Sequence, residues 1–199
     1  EALGLDKLLQ SDRYADYDRE SLDAMFDLCQ SIAEEEFLPC AGKLDANEPQ
    51  FVDGQVETIP EVKQAIAAFK EAGLCASGYD ADVGGMQLPW MVDQALNGMF
   101  VCANNPILIY LFLTQGVANM LNACGSDELK DKYLGPLVEG DWFGTMCLSE
   151  PQAGSSLADI TTKAEPLEDG SYKVSGTKMW ISGGEQDLSD NIIHMVLAK

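Results

Sequence analysis

The sequence predicts an α+β chain of more than one domain. An all-α helical domain over residues 1–140 is followed by the first part of an antiparallel β-barrel-like domain over residues 141–199. Apolar side chains recur at helical spacing in the first part, whereas short alternating runs separated by glycine-containing turns fill the second. The 199 residues are 46% hydrophobic, which is enough for a core, so the excess of 33 acidic over 12 basic residues does not indicate a disordered chain.

The early helices are predicted from apolar spacing and from the residues that end them. The first amphipathic helix precedes Pro39, and its apolar positions are Leu22, Met25, Phe26, Cys29, Ile32, Ala33 and Phe37. Residues 47–54 are polar and turn-rich. A short helix then opens at Pro60 and closes at Gly73, and we expect a loop over residues 73–85.

Residues 94–126 contain no charged side chain, so this stretch has to be considered as a membrane segment. Its densest apolar run, over residues 106–113, is far shorter than the roughly 20 apolar residues that a span requires. We therefore predict an apolar helix from Pro89, a turn at residues 104–106, and a buried core helix that stops at Gly125. No membrane span is expected.

After a short charged helix over residues 126–134, the pattern changes to short β-type runs. These runs cover residues 142–148, 160–164, 171–175, 178–182 and 192–198. Consecutive short strands indicate an antiparallel meander or barrel. The chain stops at Lys199 within the last run, and we therefore expect it to be a fragment of a longer protein.

Charge and cysteine usage disfavour several kinds of partner and site. A net charge of −21 without a cluster of Lys or Arg argues against nucleic acid and anionic membrane surfaces. The six cysteines form no CxxC pair and His194 is the single histidine, so no metal site is expected. We expect free, buried thiols and a His194 side chain packed in the core. The first residues do not resemble a secretory signal, which favours a cytoplasmic location.

The stretch MCLSEPQAGS, over residues 146–155, leaves a predicted strand for a loop of small residues. Ser149 and Ser155 offer hydroxyl groups, and Gly154 lets a ligand approach the backbone closely. Successive N–H groups in such a turn can also form an anion-binding nest. The same features fit an ordinary hairpin loop, and both interpretations stay open on these residues alone.

The stretch GTKMWISGG, over residues 176–184, places Trp180 and Ser182 on the same face of one predicted strand, because side chains alternate with period two. An indole and a hydroxyl on one surface suit a flat heteroaromatic ring that needs a packing wall and a hydrogen bond at its edge. The alternative is a core tryptophan beside a turn serine.

Taken together, LSEPQAGS and GTKMWIS at this spacing, after an all-helical region, closely resemble the acyl-CoA dehydrogenase family. The resemblance also includes Gly84–Gly85, residues 125–130 and residues 133–142, and so covers nearly the whole chain. Residues 182–194 are similar to the large branch that includes 3-methylmercaptopropionyl-CoA dehydrogenases. The family implies a helical domain, a middle β-domain and a C-terminal helical bundle, which is absent from this chain, and assembly into homo-oligomers.

The resemblance also implies FAD as the cofactor and assigns residues to it. The residues expected to border the flavin ring are Met146, Cys147, Leu148, Ser149, Gly154, Ser155, Trp180, Ile181 and Ser182. Ser149 would hydrogen-bond the pyrimidine side of the ring, Trp180 would pack on it, and Ser182 would approach N5 and O4. Ser155 would also contact the CoA portion of the substrate.

The reaction implied is α,β-dehydrogenation of an acyl-CoA in fatty acid metabolism, giving trans-2-enoyl-CoA. A carboxylate removes the α proton while the flavin accepts the β hydride, and electron-transferring flavoprotein is the expected electron acceptor. The base is expected beyond Lys199, with Glu150 shaping the loop instead, so no catalytic residue is assigned here and the chain alone is expected to be inactive. An acyl-CoA oxidase and a flavin-binding, non-catalytic family member are the alternatives.

Overall fold

The computed structural model describes residues 4–199, and the first part of the protein is a helical layer. Its helices are α1 (Leu5–Leu8), α2 (Arg19–Ile32), α3 (Ala41–Ala46), α4 (Pro60–Glu71), α5 (Trp90–Cys124) and α6 (Asp127–Val138). The Asp18 carboxylate caps α2 by accepting from the Ser21 N–H, and Pro60 opens α4. A π-helical turn over Ala33–Phe37 extends α2 toward Pro39. The predicted helices before and after residues 47–54 are therefore confirmed.

The long helix α5 is broken at Asn104, whose φ of −161° and ψ of 86° are not helical. Pro106 causes the break, because it lacks an N–H and its ring crowds the preceding turn. The Asn104 amide donates to the Phe37 carbonyl at 3.1 Å, and its Oδ1 accepts from the Ile107 N–H at 3.4 Å. The turn predicted at residues 104–106 is present as this kink.

Within residues 4–199, α5 is the one helix long and apolar enough to cross a membrane by length and composition. Its Phe100 ring is fully buried and meets the Phe37 and Phe69 rings edge-on, with centroids 4.9 Å apart in both pairs. Such aromatic contacts place α5 at the centre of the helical layer. After the kink, the face of α5 that carries Ile107, Leu111 and Leu121 is buried as predicted for a core helix, whereas Phe112 and Met120 are exposed.

In the described residues, 4–199, six short strands follow the helices or lie between them. They are β1 (Gln50–Val52), β2 (Gln55–Glu57), β3 (Phe143–Cys147), β4 (Lys163–Pro166), β5 (Tyr172–Ser175) and β6 (Ile192–Val196). The pairs β1–β2 and β4–β5 are antiparallel, whereas β3 and β6 are parallel. The prediction of one antiparallel meander or barrel is therefore wrong for β3–β6, which a long connection joins in the same direction. The strands of residues 4–199 form three two-stranded sheets and no closed barrel.

Two further differences concern local backbone conformation. The hairpin β1–β2 interrupts the domain predicted to be all-α, and Asp53 and Gly54, with φ of 51° and 90°, form its turn. The run over residues 178–182 is not a strand, because Trp180 adopts a left-handed φ of 62° that no strand residue has. The run predicted over residues 160–164 also begins later, at Lys163.

Strand β3 lies directly against α5. A Cβ at Gly144 would be 2.6 Å from the Val117 Cβ, so only glycine permits this approach. The Gly144 N–H donates to Thr114 Oγ1 on α5 at 3.0 Å. This contact fixes the start of the loop that carries the first predicted motif.

The paired strand β6 carries His194, which is exposed, so the expectation of a core histidine is wrong. Its Nδ1 lies 2.6 Å from Thr145 Oγ1 on β3, and this hydrogen bond accounts for its position. All six cysteines are free, as expected, but only four are buried: Cys102 and Cys124 are exposed on α5.

Candidate functional site

The first predicted motif begins on β3 and continues into a loop. Met146 is exposed, and Leu148 and Ser149 are half-buried at the end of the strand. Cys147 points to the opposite, buried side, where its Sγ lies 3.6 Å from Thr145 Oγ1. Met146 and Leu148 thus alternate with Cys147, and the cysteine side chain does not share their face.

The second predicted motif forms an irregular loop rather than a strand. Trp180 is 84% exposed, Ser182 is exposed, and Ile181 is half-buried. The prediction that Trp180 and Ser182 share the face of one strand is therefore wrong. The Gly184 N–H donates to the Ile181 carbonyl at 3.1 Å, and a Cβ at Gly183 would lie 3.1 Å from the Tyr110 ring. The loop is thus turned tightly and rests on α5.

The two motifs are nevertheless brought together by direct hydrogen bonds. The Met179 N–H donates to the Ser149 carbonyl at 3.0 Å. The Lys178 ammonium donates to the Leu148 carbonyl and to Glu150 Oε1, at 2.9 Å in both cases. Residues close to Ser149 and Trp180 are therefore joined, although about 30 residues of sequence separate them.

The buried carboxylate of Glu150 connects the two motifs to Thr161 and Thr162, and its side chain is only 1% exposed. Its two oxygens accept six hydrogen bonds, from the N–H and hydroxyl groups of Thr161 and Thr162, from Gln152 Nε2 and from Lys178 Nζ. Burial alone would raise the pKa of Glu150, but these hydrogen bonds outweigh it and hold the pKa far below its usual range. A carboxylate with both oxygens occupied and a low pKa is a poor general base, and Glu150 instead ties the loop to residues 161–162.

Several serine hydroxyls at the site are available to a ligand. Among residues 4–199, Ser149, Ser155 and Ser182 make no side-chain hydrogen bond, and both Ser155 and the adjacent Gly154 are exposed. Free hydroxyls beside an exposed indole and the Met146 thioether can meet the edge and the face of a flat heteroaromatic ring. No group of three or more His, Cys, Asp or Glu residues in this part of the chain is placed to hold a metal ion.

Sequence reasoning missed the residues that hold the site together. Thr161 and Thr162 lie outside both motifs. Nothing in their spacing along the sequence indicates that their hydroxyls contact Glu150. Lys178 lies inside the second motif and could have been noticed, because a lysine followed by Met179, Trp180 and Ile181 needs a carboxylate partner when it is buried. Glu150 supplies that partner.

Comparison with known proteins identifies the family. The family model described as acyl-CoA dehydrogenase, N-terminal domain, matches residues 19–141. A 3-methylmercaptopropionyl-CoA dehydrogenase of Ruegeria pomeroyi is 39% identical over 155 residues, covering 78% of this chain and 26% of that protein. A butyryl-CoA dehydrogenase of Syntrophomonas wolfei is 35% identical over 204 residues, covering 100% of this chain and 33% of that protein.

A crystal structure of an acyl-CoA dehydrogenase complexed with FAD, from Bacillus anthracis, shares the fold. Its TM-score is 0.73 at 22% identity, over 93% of this chain and 29% of that chain. The chain thus spans about a third or less of each of these three proteins. The family model nevertheless covers more than half of this chain. The chain therefore belongs to the acyl-CoA dehydrogenase family.

Proposed function

We propose that the protein is an FAD-dependent acyl-CoA dehydrogenase that converts an acyl-CoA to the trans-2-enoyl-CoA, and that this chain supplies one wall of the flavin site. The observation that carries the proposal is the joining of the two motifs, which puts a free hydroxyl at Ser149 and an exposed indole at Trp180 on neighbouring segments. The dehydrogenases named above support the reaction class.

The residues present fit an isoalloxazine ring, which is flat and has hydrogen-bonding atoms along its edge. Trp180 offers an apolar face that no other part of the described chain covers, since 84% of it is exposed. In this proposal Trp180 packs on the ring, Ser149 bonds its pyrimidine side, and the Ser182 hydroxyl approaches its N5 and O4. Bound FAD supplies the acceptor for the hydride that leaves the β carbon.

The remaining chemistry divides between this chain and other parts of the protein. Ser155 is exposed beside Gly154 and is proposed to contact the CoA portion of the substrate. The base that takes the α proton is proposed to lie beyond Lys199, because Glu150, the one carboxylate within the two motifs, is occupied by six donors. We further propose a cytoplasmic homo-oligomer that passes electrons to electron-transferring flavoprotein.

The proposal is tested on the full-length protein by its visible spectrum before and after anaerobic addition of saturated acyl-CoAs of graded length. Flavin bands that bleach with one of them support the dehydrogenase reaction, and slow recolouring in air separates it from an oxidase. A colourless protein, or a yellow one that none of the acyl-CoAs bleaches, would overturn the proposed activity.

Two serine variants test the assignment of residues. Ser149→Ala removes a hydroxyl proposed to bond the flavin, so the Kd for FAD is expected to rise about two- to tenfold. Ser156→Ala removes an exposed hydroxyl that is assigned no contact with the ring and serves as the matched control. Equal FAD affinities for both variants and the wild type would remove Ser149 from the site.

A further inference from the structure

Lys178 occupies an unusual place between the two motifs. Its side chain is only 10% exposed, and its ammonium lies 2.9 Å from both the Leu148 carbonyl and Glu150 Oε1. These two acceptors belong to the residues on either side of Ser149. The next residue along, Met179, donates its N–H to the carbonyl of Ser149 itself. Three hydrogen bonds from two consecutive residues therefore surround this serine.

Glu150 does not need Lys178 for its own hydrogen bonding. Without the ammonium, its oxygens still accept five hydrogen bonds from Thr161, Thr162 and Gln152. What Lys178 adds is a side-chain link from the second motif to both the Leu148 carbonyl and this fixed carboxylate of the first motif. Beside the backbone bond from Met179 to Ser149, Lys178 is the one side chain of residues 176–184 that the described structure hydrogen-bonds to the first motif.

Trp180 directly follows these anchored residues in the chain and has an unusual backbone conformation. Its side chain is 84% exposed and its backbone has a φ of 62°, a left-handed conformation that is uncommon for an aromatic residue. A conformation of this kind persists only when the surrounding structure imposes it. On the preceding side, the backbone of the tryptophan is anchored by the bonds of Lys178 and Met179 to the first motif.

We propose that Lys178 is a positioning residue for the flavin: by bridging the Leu148 carbonyl and the Glu150 carboxylate, it sets the Ser149 hydroxyl and the Trp180 indole at a fixed separation before the ring binds. The inference rests on the proposed function. Lys178 itself touches neither flavin nor substrate in this proposal. When the Trp180 indole and the Ser149 hydroxyl are already held in place, less conformational entropy is lost as they bind the flavin.

The experiment compares the full-length Lys178→Met protein with wild type and with Lys173→Met. Methionine is an unbranched side chain one atom shorter than lysine, and it removes the charge and the donors. Lys173 is an exposed lysine on β5 for which the described structure gives no side-chain hydrogen bond or ion pair, so its variant controls for loss of one positive charge. Measurements are the Kd for FAD by titration of the apoprotein, the visible circular dichroism of the bound flavin, and its midpoint potential.

For Lys178→Met we expect the Kd for FAD to rise roughly tenfold or more, with a changed flavin circular dichroism and a shifted midpoint potential, while Lys173→Met matches wild type. A merely structural lysine would lower the melting temperature without altering the flavin that remains bound. If Lys178→Met gives no cooperative melt, Lys178→Gln, which keeps a donor for the Leu148 carbonyl, is measured instead and is expected to show a smaller shift of the same flavin properties.

The outcomes separate this inference from the proposed function. A wild-type protein that binds no FAD would overturn both the flavin site and the role of Lys178. A wild-type protein that binds FAD, together with a folded Lys178 variant of unchanged Kd, circular dichroism and potential, would overturn the positioning role alone.

Discussion

The contact of β3 with α5 predicts a large effect from a very small substitution, Gly144→Ala. The added Cβ would lie 2.6 Å from the Val117 Cβ and 2.7 Å from its Cγ2, whereas carbon atoms in contact are about 3.5–4.0 Å apart. The strand must therefore move away from the helix by about 1 Å. Overpacking of this kind costs about 1–3 kcal/mol, and weakening the 3.0 Å bond from the Gly144 N–H to Thr114 adds about 1 kcal/mol.

The expected loss for Gly144→Ala is thus about 2–4 kcal/mol, or a fall of about 4–16 °C in melting temperature for a domain of this size. Gly116→Ala is the matched control, because it lies on α5 beside Val117 with nothing within 4 Å of its added Cβ. Alanine there improves helix propensity by up to about 1 kcal/mol. Thermal unfolding of the full-length protein, followed by near-UV circular dichroism, compares the two variants. A Gly144→Ala protein that melts within about 2 °C of wild type would refute the reasoning.

Two further substitutions test the kink and the buried carboxylate. Asn104→Ala removes the donor to the Phe37 carbonyl and the acceptor for the Ile107 N–H. Chemical denaturation should therefore show that the free energy of unfolding falls by about 1–3 kcal/mol. The control, Asn105→Ala at an exposed position, should stay within about 0.5 kcal/mol of wild type. Because hydrogen bonds lower the pKa of Glu150 below its ordinary value of about 4.5, the charged carboxylate stabilises the fold above that pH, and this contribution is lost as the pH falls below it. Glu150→Gln should therefore be clearly less stable than wild type at neutral pH and approach the stability of wild type in acid. Glu165→Gln, at an exposed position, is the control. A difference in unfolding free energy between Glu150→Gln and wild type that stays constant with pH would contradict the charge-based explanation.

The helical part of the fold could be predicted because its determinants are local. The apolar spacing that leads to Phe37, the proline that opens α4 and the kink before Pro106 each depend on residues within one or two turns. The hairpin β1–β2 was also locally encoded, since the Asp53–Gly54 pair is a strong signal for a two-residue turn. It was missed because the flanking strands are three residues each and mostly exposed, so no alternation of apolar side chains marks them.

The β-part could be predicted less well because its pairing depends on distant segments. Sequence alone identified the runs that become β3 and β6 but not their parallel pairing, which the long connection between them determines. The run around Trp180 has the composition of a strand, yet its backbone turns left-handed. Bonds from Lys178 and Met179 to the first motif outweigh the local preference, and such long-range effects leave no trace in residue spacing.

Within the two stretches that the resemblance points to, the structure separates residues whose polar or aromatic groups are free from residues whose charges are paired. Ser149 and Trp180 present a hydroxyl and an indole, whereas Glu150 and Lys178 neutralise one another beneath them. The lysine charge is therefore not available to a phosphate. A chain with a net charge of −21 can still contribute to a site for an anionic cofactor in this way, because ring packing and neutral hydrogen bonds need no opposite charge. In the proposed enzyme this chain would hold the ring, and backbone N–H groups and helix N-termini can bind phosphates in place of Lys and Arg.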